Sequence, residues 1–151
     1  MPRRKITDIN EIEGIIGKAG VCHLGLVDGD EPYVVPVSFG YERGALYFHG
    51  NLTGRKIELI RKNNRVCFEM ETDVSVKEAE QACDWGIRYM SVIGVGRAYI
   101  LENDEQKSHA LDLITERYTG SVLGFPKSEM DKTLVVKIDI ESMTGKQLYS
   151  S

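Results

Sequence analysis

Residues 44–60 put chemistry at a change of secondary structure. Leu46, Tyr47 and Phe48 read as a short strand, Gly50 and Gly54 permit tight backbone, and Arg55-Lys56 open a helix. Thr53 is expected to cap that helix, whose first turn offers unpaired N–H groups to an oxyanion. The helix dipole disfavours cations at this end, so an Arg-Lys pair there makes sense if an anion binds. Two charges suit a phosphate dianion, which Arg can grip with two parallel bonds. His49 ends the strand that feeds the turn and is a candidate donor to a phosphate or a ring edge; a structural histidine reads equally well.

Other chemistries find little support. No G-x-x-x-x-G-K-S/T loop is present, and Gly94-Val95-Gly96 lies within a strand pattern with no third glycine at the dinucleotide spacing. His23, His49 and His109 are far apart, and Cys22, Cys67 and Cys83 form no C-x-x-C pair, so no metal centre is expected. Three unpaired thiols fit a reducing cytoplasm. Ser91 and Ser121 lack a nucleophile-elbow context.

The elements that must position these residues are small. The 151 residues suit one domain over 1–151, with residues 1–6 as a solvated basic tail. A net charge of −4 argues against a nucleic-acid binder, and no apolar run is long enough to span a bilayer. Ile9, Ile12, Ile15 and Ile16 share one helical face, residues 54–62 form a second helix, and Asn103-Asp104-Glu105 caps a third with Ala110, Leu111, Leu113 and Ile114 on its apolar face. Strands are expected over 21–27, 33–41, 44–49, 65–71, 88–101 and 134–140; residues 73–82 stay unassigned and 122–132 read as a loop. Gly94 and Gly96 mark a bulge or a close approach of another backbone or a ligand. The pattern has no βαβ rhythm and predicts a mainly β (α+β) fold, a six-stranded antiparallel barrel with about three helices outside.

Several segments in order carry a family resemblance: Val21-Cys22-His23-Leu24-Gly25-Leu26, residues 32–39 from Pro32 to Phe39, Leu46-Tyr47-Phe48-His49-Gly50, Gly54-Arg55-Lys56, residues 88–97 from Arg88 to Arg97, and Met143-Thr144-Gly145-Lys146. Together the chain resembles the pyridoxamine 5′-phosphate oxidase-like flavin-binding split barrels, most closely the branch related to 5-nitroimidazole-resistance proteins. The resemblance implies a six-stranded split β-barrel, a homodimer, and FMN shared across the subunit interface. It implies that Arg55 and Lys56 hold the FMN phosphate with His49, Gly50 and Asn51, and that Val35, Pro36, Val37 and Ser38 lie along the flavin ring. Tyr89, Ser91 and Val92 would come from the second subunit, with Trp85 or Lys146 over the ring. His49 and Tyr89 are the candidates for proton donation.

The implied activity is electron transfer from a reduced nicotinamide or similar donor through FMN to a small acceptor. The alternative is a binding or storage protein for flavin, deazaflavin or haem. Arg55 stands where the nitroimidazole-resistance proteins carry histidine, and residues 137–151 lack the substrate-binding Arg and His of the vitamin-B6 oxidases, so neither drug reduction nor vitamin-B6 oxidation is expected.

Overall fold

Along β2 (Cys22–Asp28) every second side chain, Cys22, Leu24 and Leu26, is buried, which is the alternation of a strand with one face on a core. The computed structural model describes residues 2–149. Seven more strands are described: β1 (Arg3–Ile6), β3 (Glu31–Val37), β4 (Gly40–Glu42), β5 (Ala45–Asn51), β6 (Arg65–Lys77), β7 (Gly86–Ile100) and β8 (Thr133–Leu148). They form one antiparallel sheet in the order β3-β2-β6-β7-β8-β5-β4, with β1 paired to the end of β8. The helices are α1 (Ile9–Lys18), α2 (Arg55–Lys62), α3 (Asp104–Thr119) and the short α4 (Lys127–Met130). None is long and apolar enough to cross a membrane.

The strand count is eight among the described residues rather than the expected six. The basic segment expected as a tail is β1, which pairs residue by residue with β8 although only Ile6 is buried. The single strand expected over 33–41 is two, because β3 pairs with β2 whereas β4 changes partner to β5. The unassigned 73–82 divides into the end of β6 and a 3-10 turn, Ala82–Asp84, and the loop after α3 contains α4.

The main core gathers Leu24, Leu46, Phe48, Phe68, Met70 and Val92 from the sheet against Ile12, Ile15 and Ile16 of α1. Each such buried side chain contributes about 1.5–3 kcal/mol. Asp8 caps α1 by accepting from the Asn10 and Glu11 amides, whereas Ile9, expected on the apolar face, is half exposed. A second cluster packs α3 through Ala110, Leu111 and Ile114 onto Ala45, Tyr47 and Val135. α3 begins at Asn103, which accepts from the Gln106 amide, and stops at Gly120 in the left-handed region (φ 75°). Arg117 locks α3 to the end of α1: its guanidinium donates to the Ile16 and Ala19 carbonyls and lies 3.9 Å from the Phe39 ring centroid.

Gly94 and Gly96 mark what the sequence suggests. The pairing of β7 with β8 shifts register between Val95 and Gly96, and a Cβ on Gly96 would run into the Asp139 carbonyl across the ladder. A Cβ on Gly94 would meet the Phe68 ring and come 2.8 Å from the Ser142 oxygen.

Candidate functional site

β5 delivers the chain to the anion turn. It carries Gly50 and Asn51 opposite Leu134 and Thr133, and α2 then starts at Arg55. The helix cap is Gly54 at φ 139°, a conformation natural to glycine, so the expected Thr53 cap is corrected. No side chain caps α2, which leaves its first-turn N–H groups available to a ligand.

Arg55 and Lys56 stand on that turn, and long-range contacts orient both. The Arg55 guanidinium lies 4.3 Å from the Tyr33 ring centroid and 3.4 Å from the Asp28 carboxylate, both in the β2–β3 hairpin. Stacking spreads the fork over the ring while most of its donors remain unspent. The Lys56 Nζ is 5.5 Å from the Phe48 ring centroid. α2 and the hairpin thus face each other with Arg55 between.

The hairpin contributes a sheet edge. β3 ends the strand order, so one side of its backbone has no strand partner, and Pro32 and Pro36 suit an edge. Val35 and Val37 turn toward the core, whereas Pro36 and Ser38 are exposed.

His49 is half-buried, its ring edge-on to Phe125 at 6.4 Å between centroids. Burial, and then the Lys56 charge, hold its pKa below the usual histidine value. A pKa lowered by folding gives stability that is complete above pH 6.5 and is lost as pH falls through the depressed value. Thermal melts between pH 7.5 and 5 should therefore show a falling midpoint, and His49→Gln should flatten that dependence.

The remaining expected site residues form a second group. Tyr89 and Ser91 of β7 share a groove of about 360 Å3 with Lys146 of β8, whose Nζ lies 5.2 Å from the Tyr89 ring centroid. Trp85 is 51% exposed at the entry to β7. Val92 points the other way into the core, so only its backbone can serve a ligand. β2 and β6 separate β3 from β7, roughly 14 Å across the sheet. Among the described residues no hydrogen bond, ion pair or ring contact joins this group to Arg55 and Lys56.

The structure also gathers His23, set aside in the sequence as a metal ligand, with two glutamates that the sequence reading did not single out. His23 Nδ1 lies 3.0 Å from Glu69 Oε2 and 3.5 Å from Glu71 Oε2, because His23 and Glu69 are cross-strand partners and Glu71 follows on the same face. Burial and the neighbouring Glu71 raise the Glu69 carboxyl, with His23 opposing them. The Glu-x-Glu alternation was the only local sign of this cluster. The Cys22 thiol, buried in the core, is pushed up to about 12 by burial and stays protonated.

A family profile described as pyridoxamine 5′-phosphate oxidase matches residues 8–147. A crystal structure of a candidate 5-nitroimidazole antibiotic resistance protein from Bacteroides thetaiotaomicron is similar at 34% identity and a TM-score of 0.85, covering 97% of this chain and 89% of that one. The FAD and heme binding protein from Mycobacterium smegmatis superposes with a TM-score of 0.85 at 18% identity, covering 97% and 74%. A FAD-binding protein from Mesorhizobium loti gives 0.72 at 24% identity, covering 99% and 100%. Both of the latter show the fold alone. The match over residues 8–147 runs from the cap of α1 to the end of β8, and the chain belongs to the pyridoxamine 5′-phosphate oxidase family.

Proposed function

We propose that the chain is an FMN-binding oxidoreductase that works as a homodimer and passes electrons from a reduced nicotinamide or similar donor to a small acceptor. The observation that carries this reading is the uncapped first turn of α2, with Arg55 held against the edge strand β3 and Lys56 over the Phe48 ring of β5. Bound FMN would supply the redox chemistry. The chain supplies the rest. The Arg55 fork, Lys56 and the α2 amides grip the phosphate, with His49, Gly50 and Asn51 around it. The free backbone edge at residues 35–38 bonds the polar rim of the ring, and Pro36 and Ser38 border it.

In this reading the longer strands form a six-stranded split barrel, and Tyr89, Ser91 and Lys146 reach the ring from the second copy, with Trp85 beside it. Val74, Ile87 and Ile93 are exposed by 54%, 45% and 55% around the Tyr89 groove, apolar surface that two-fold association would cover twice. Tyr89 and His49 are the proton donors. The protein works in the cytoplasm, where Cys22, Cys67 and Cys83 remain free thiols.

The fold of the FAD and heme binding neighbour favours one second reading, a binding protein for flavin, deazaflavin or haem that does not turn over. Size-exclusion chromatography with light scattering and visible absorbance tests the first. Flavin colour should elute with the mass of two chains and bleach with NADH or NADPH under anaerobic conditions. A coloured dimer that neither donor reduces selects the second reading, a colourless monomer after incubation with FMN overturns the first, and one that also takes up neither deazaflavin nor haem overturns both.

A further inference from the structure

One imidazole and two carboxylates converge on the face of the sheet opposite the core. Register brings them there: His23 of β2 is the direct partner of Glu69 of β6, and Glu71 follows two residues on with its side chain on the same face. Their strand neighbours Leu24, Phe68 and Met70 turn into the core. The His23 Nδ1 atom serves both acids, 3.0 Å from Glu69 Oε2 and 3.5 Å from Glu71 Oε2, and the three ligand atoms all lie within 4.8 Å of one another.

Hydrogen bonding accounts for only part of this arrangement. A single Nδ1–H donates to one carboxylate, and even an imidazolium would neutralise one of two adjacent negative charges. Lys146 lines the same groove as the two glutamates, yet among the described residues it forms an ion pair with neither. The separations are those of neighbouring ligands around one ion: bonds of about 2.0–2.2 Å to nitrogen and oxygen set such atoms roughly 3.0–3.5 Å apart in octahedral or tetrahedral geometry. The donor set also discriminates. Imidazole beside carboxylates suits zinc, manganese or iron(II), whereas calcium and magnesium take oxygen ligands. All three residues stand on paired strands, so no loop has to rearrange to assemble them. By contrast the pair of His109 and Glu42, at 3.1 Å, gathers no third ligand among the described residues.

We infer that His23, Glu69 and Glu71 form a binding site for a first-row divalent transition ion, with zinc as its simplest occupant. Three protein ligands leave at least one coordination position for water or a substrate atom. Glu69 and Glu71 line the groove of about 360 Å3 that also holds Tyr89, so an oxygen donor of a small molecule can reach the ion from that side. The site was hidden in the sequence, where no metal centre is expected, because His23 and Glu69 are 46 positions apart. It needs no flavin and shares no residue with the α2 turn.

Calorimetric titration of metal-stripped, flavin-free full-length protein with zinc chloride tests the site. Saturable binding of one ion per chain is expected, and cobalt chloride should give the visible band of a nitrogen- and oxygen-ligated ion without thiolate charge-transfer absorption. His23→Gln and Glu71→Gln should each weaken zinc binding by at least about tenfold, since even groups standing behind metal ligands carry factors of about 10–100. His109→Gln and R55A/K56A should leave it unchanged, as should C67S, which removes the thiol two residues before Glu69 on the same strand face. Backbone amide shifts on zinc addition give a readout in the unaltered protein and should centre on His23, Glu69 and Glu71. The inference is overturned if the unaltered protein shows no saturable zinc binding, if H23Q and E71Q both bind as it does, or if C67S alone abolishes binding.

Discussion

Replacing Arg55 and Lys56 together with alanine is expected to weaken FMN binding by roughly a thousandfold, with little change in thermal midpoint. A hydrogen bond to a charged group contributes about 1.5–3 kcal/mol, and two such donors removed together amount to two to four orders of magnitude in affinity. Stability should barely move because both residues sit on a solvent-facing helix start, and the ion pair lost among the described residues, Arg55 to Asp28 at 3.4 Å, is exposed. The single variants divide the effect by chemistry. Arg55→Lys keeps the charge but loses the two-pronged grip and the fit over Tyr33, so it should fall between wild type and Arg55→Ala. Asp28→Asn should strengthen FMN binding modestly, since it removes a carboxylate beside the Arg55 fork. Isothermal titration of each variant with FMN checks the series.

Gly96→Ala should cost stability rather than binding, and by more than any surface change. The new methyl would collide with the Asp139 carbonyl, a backbone group held by pairing with β5 on its other side, so neither strand can give way. Overpacking of this kind costs about 1–3 kcal/mol, and a rigid backbone neighbour puts the expected loss near the upper end. For a chain of this size that is roughly a 6–12 °C drop in thermal midpoint. Gly14→Ala supplies the opposite sign. That glycine lies on the exposed side of α1 with nothing within 4 Å of a built Cβ, so alanine should stabilise by roughly 0.5–1 kcal/mol. If both substitutions behaved alike, the crowding at the β7–β8 register shift would not be what constrains residue 96.

The contrast between these two glycines shows what the sequence made legible. Gly96 interrupts a run of β-branched residues, and such an interruption points to a bulge without telling which backbone approaches; Asp139, 43 positions later, is visible only in the fold. The strands β2, β6 and β7 announce themselves by alternation, β5 by a short apolar run, and α1 by its isoleucines. β1 does not, because its place comes from backbone pairing to β8 while three of its four side chains face solvent. The far half of β8 is hidden for the same reason: residues 141–148 are mostly polar and are ordered by neighbours on both sides.

The candidate site divides along the same line. Glycines and charges in one short stretch made the Arg55-Lys56 turn readable, since local backbone chemistry is written locally. Tyr33 and Asp28, which orient Arg55, come from a hairpin more than twenty residues earlier and depend on how α2 docks. Ser91 and Lys146 meet only through the register of β7 and β8. His23, Glu69 and Glu71 likewise meet only through pairing of β2 with β6.

The central claim is that the start of α2 holds the phosphate of a flavin, and comparing FMN with riboflavin tests it most directly, because the two ligands differ only in that phosphate. Fluorescence titration of the flavin-free protein should show FMN binding at least about a hundredfold more tightly than riboflavin, with the gap closing in the Arg55→Ala/Lys56→Ala double variant. Equal affinities for the two flavins, or a gap that survives the double variant, would contradict it.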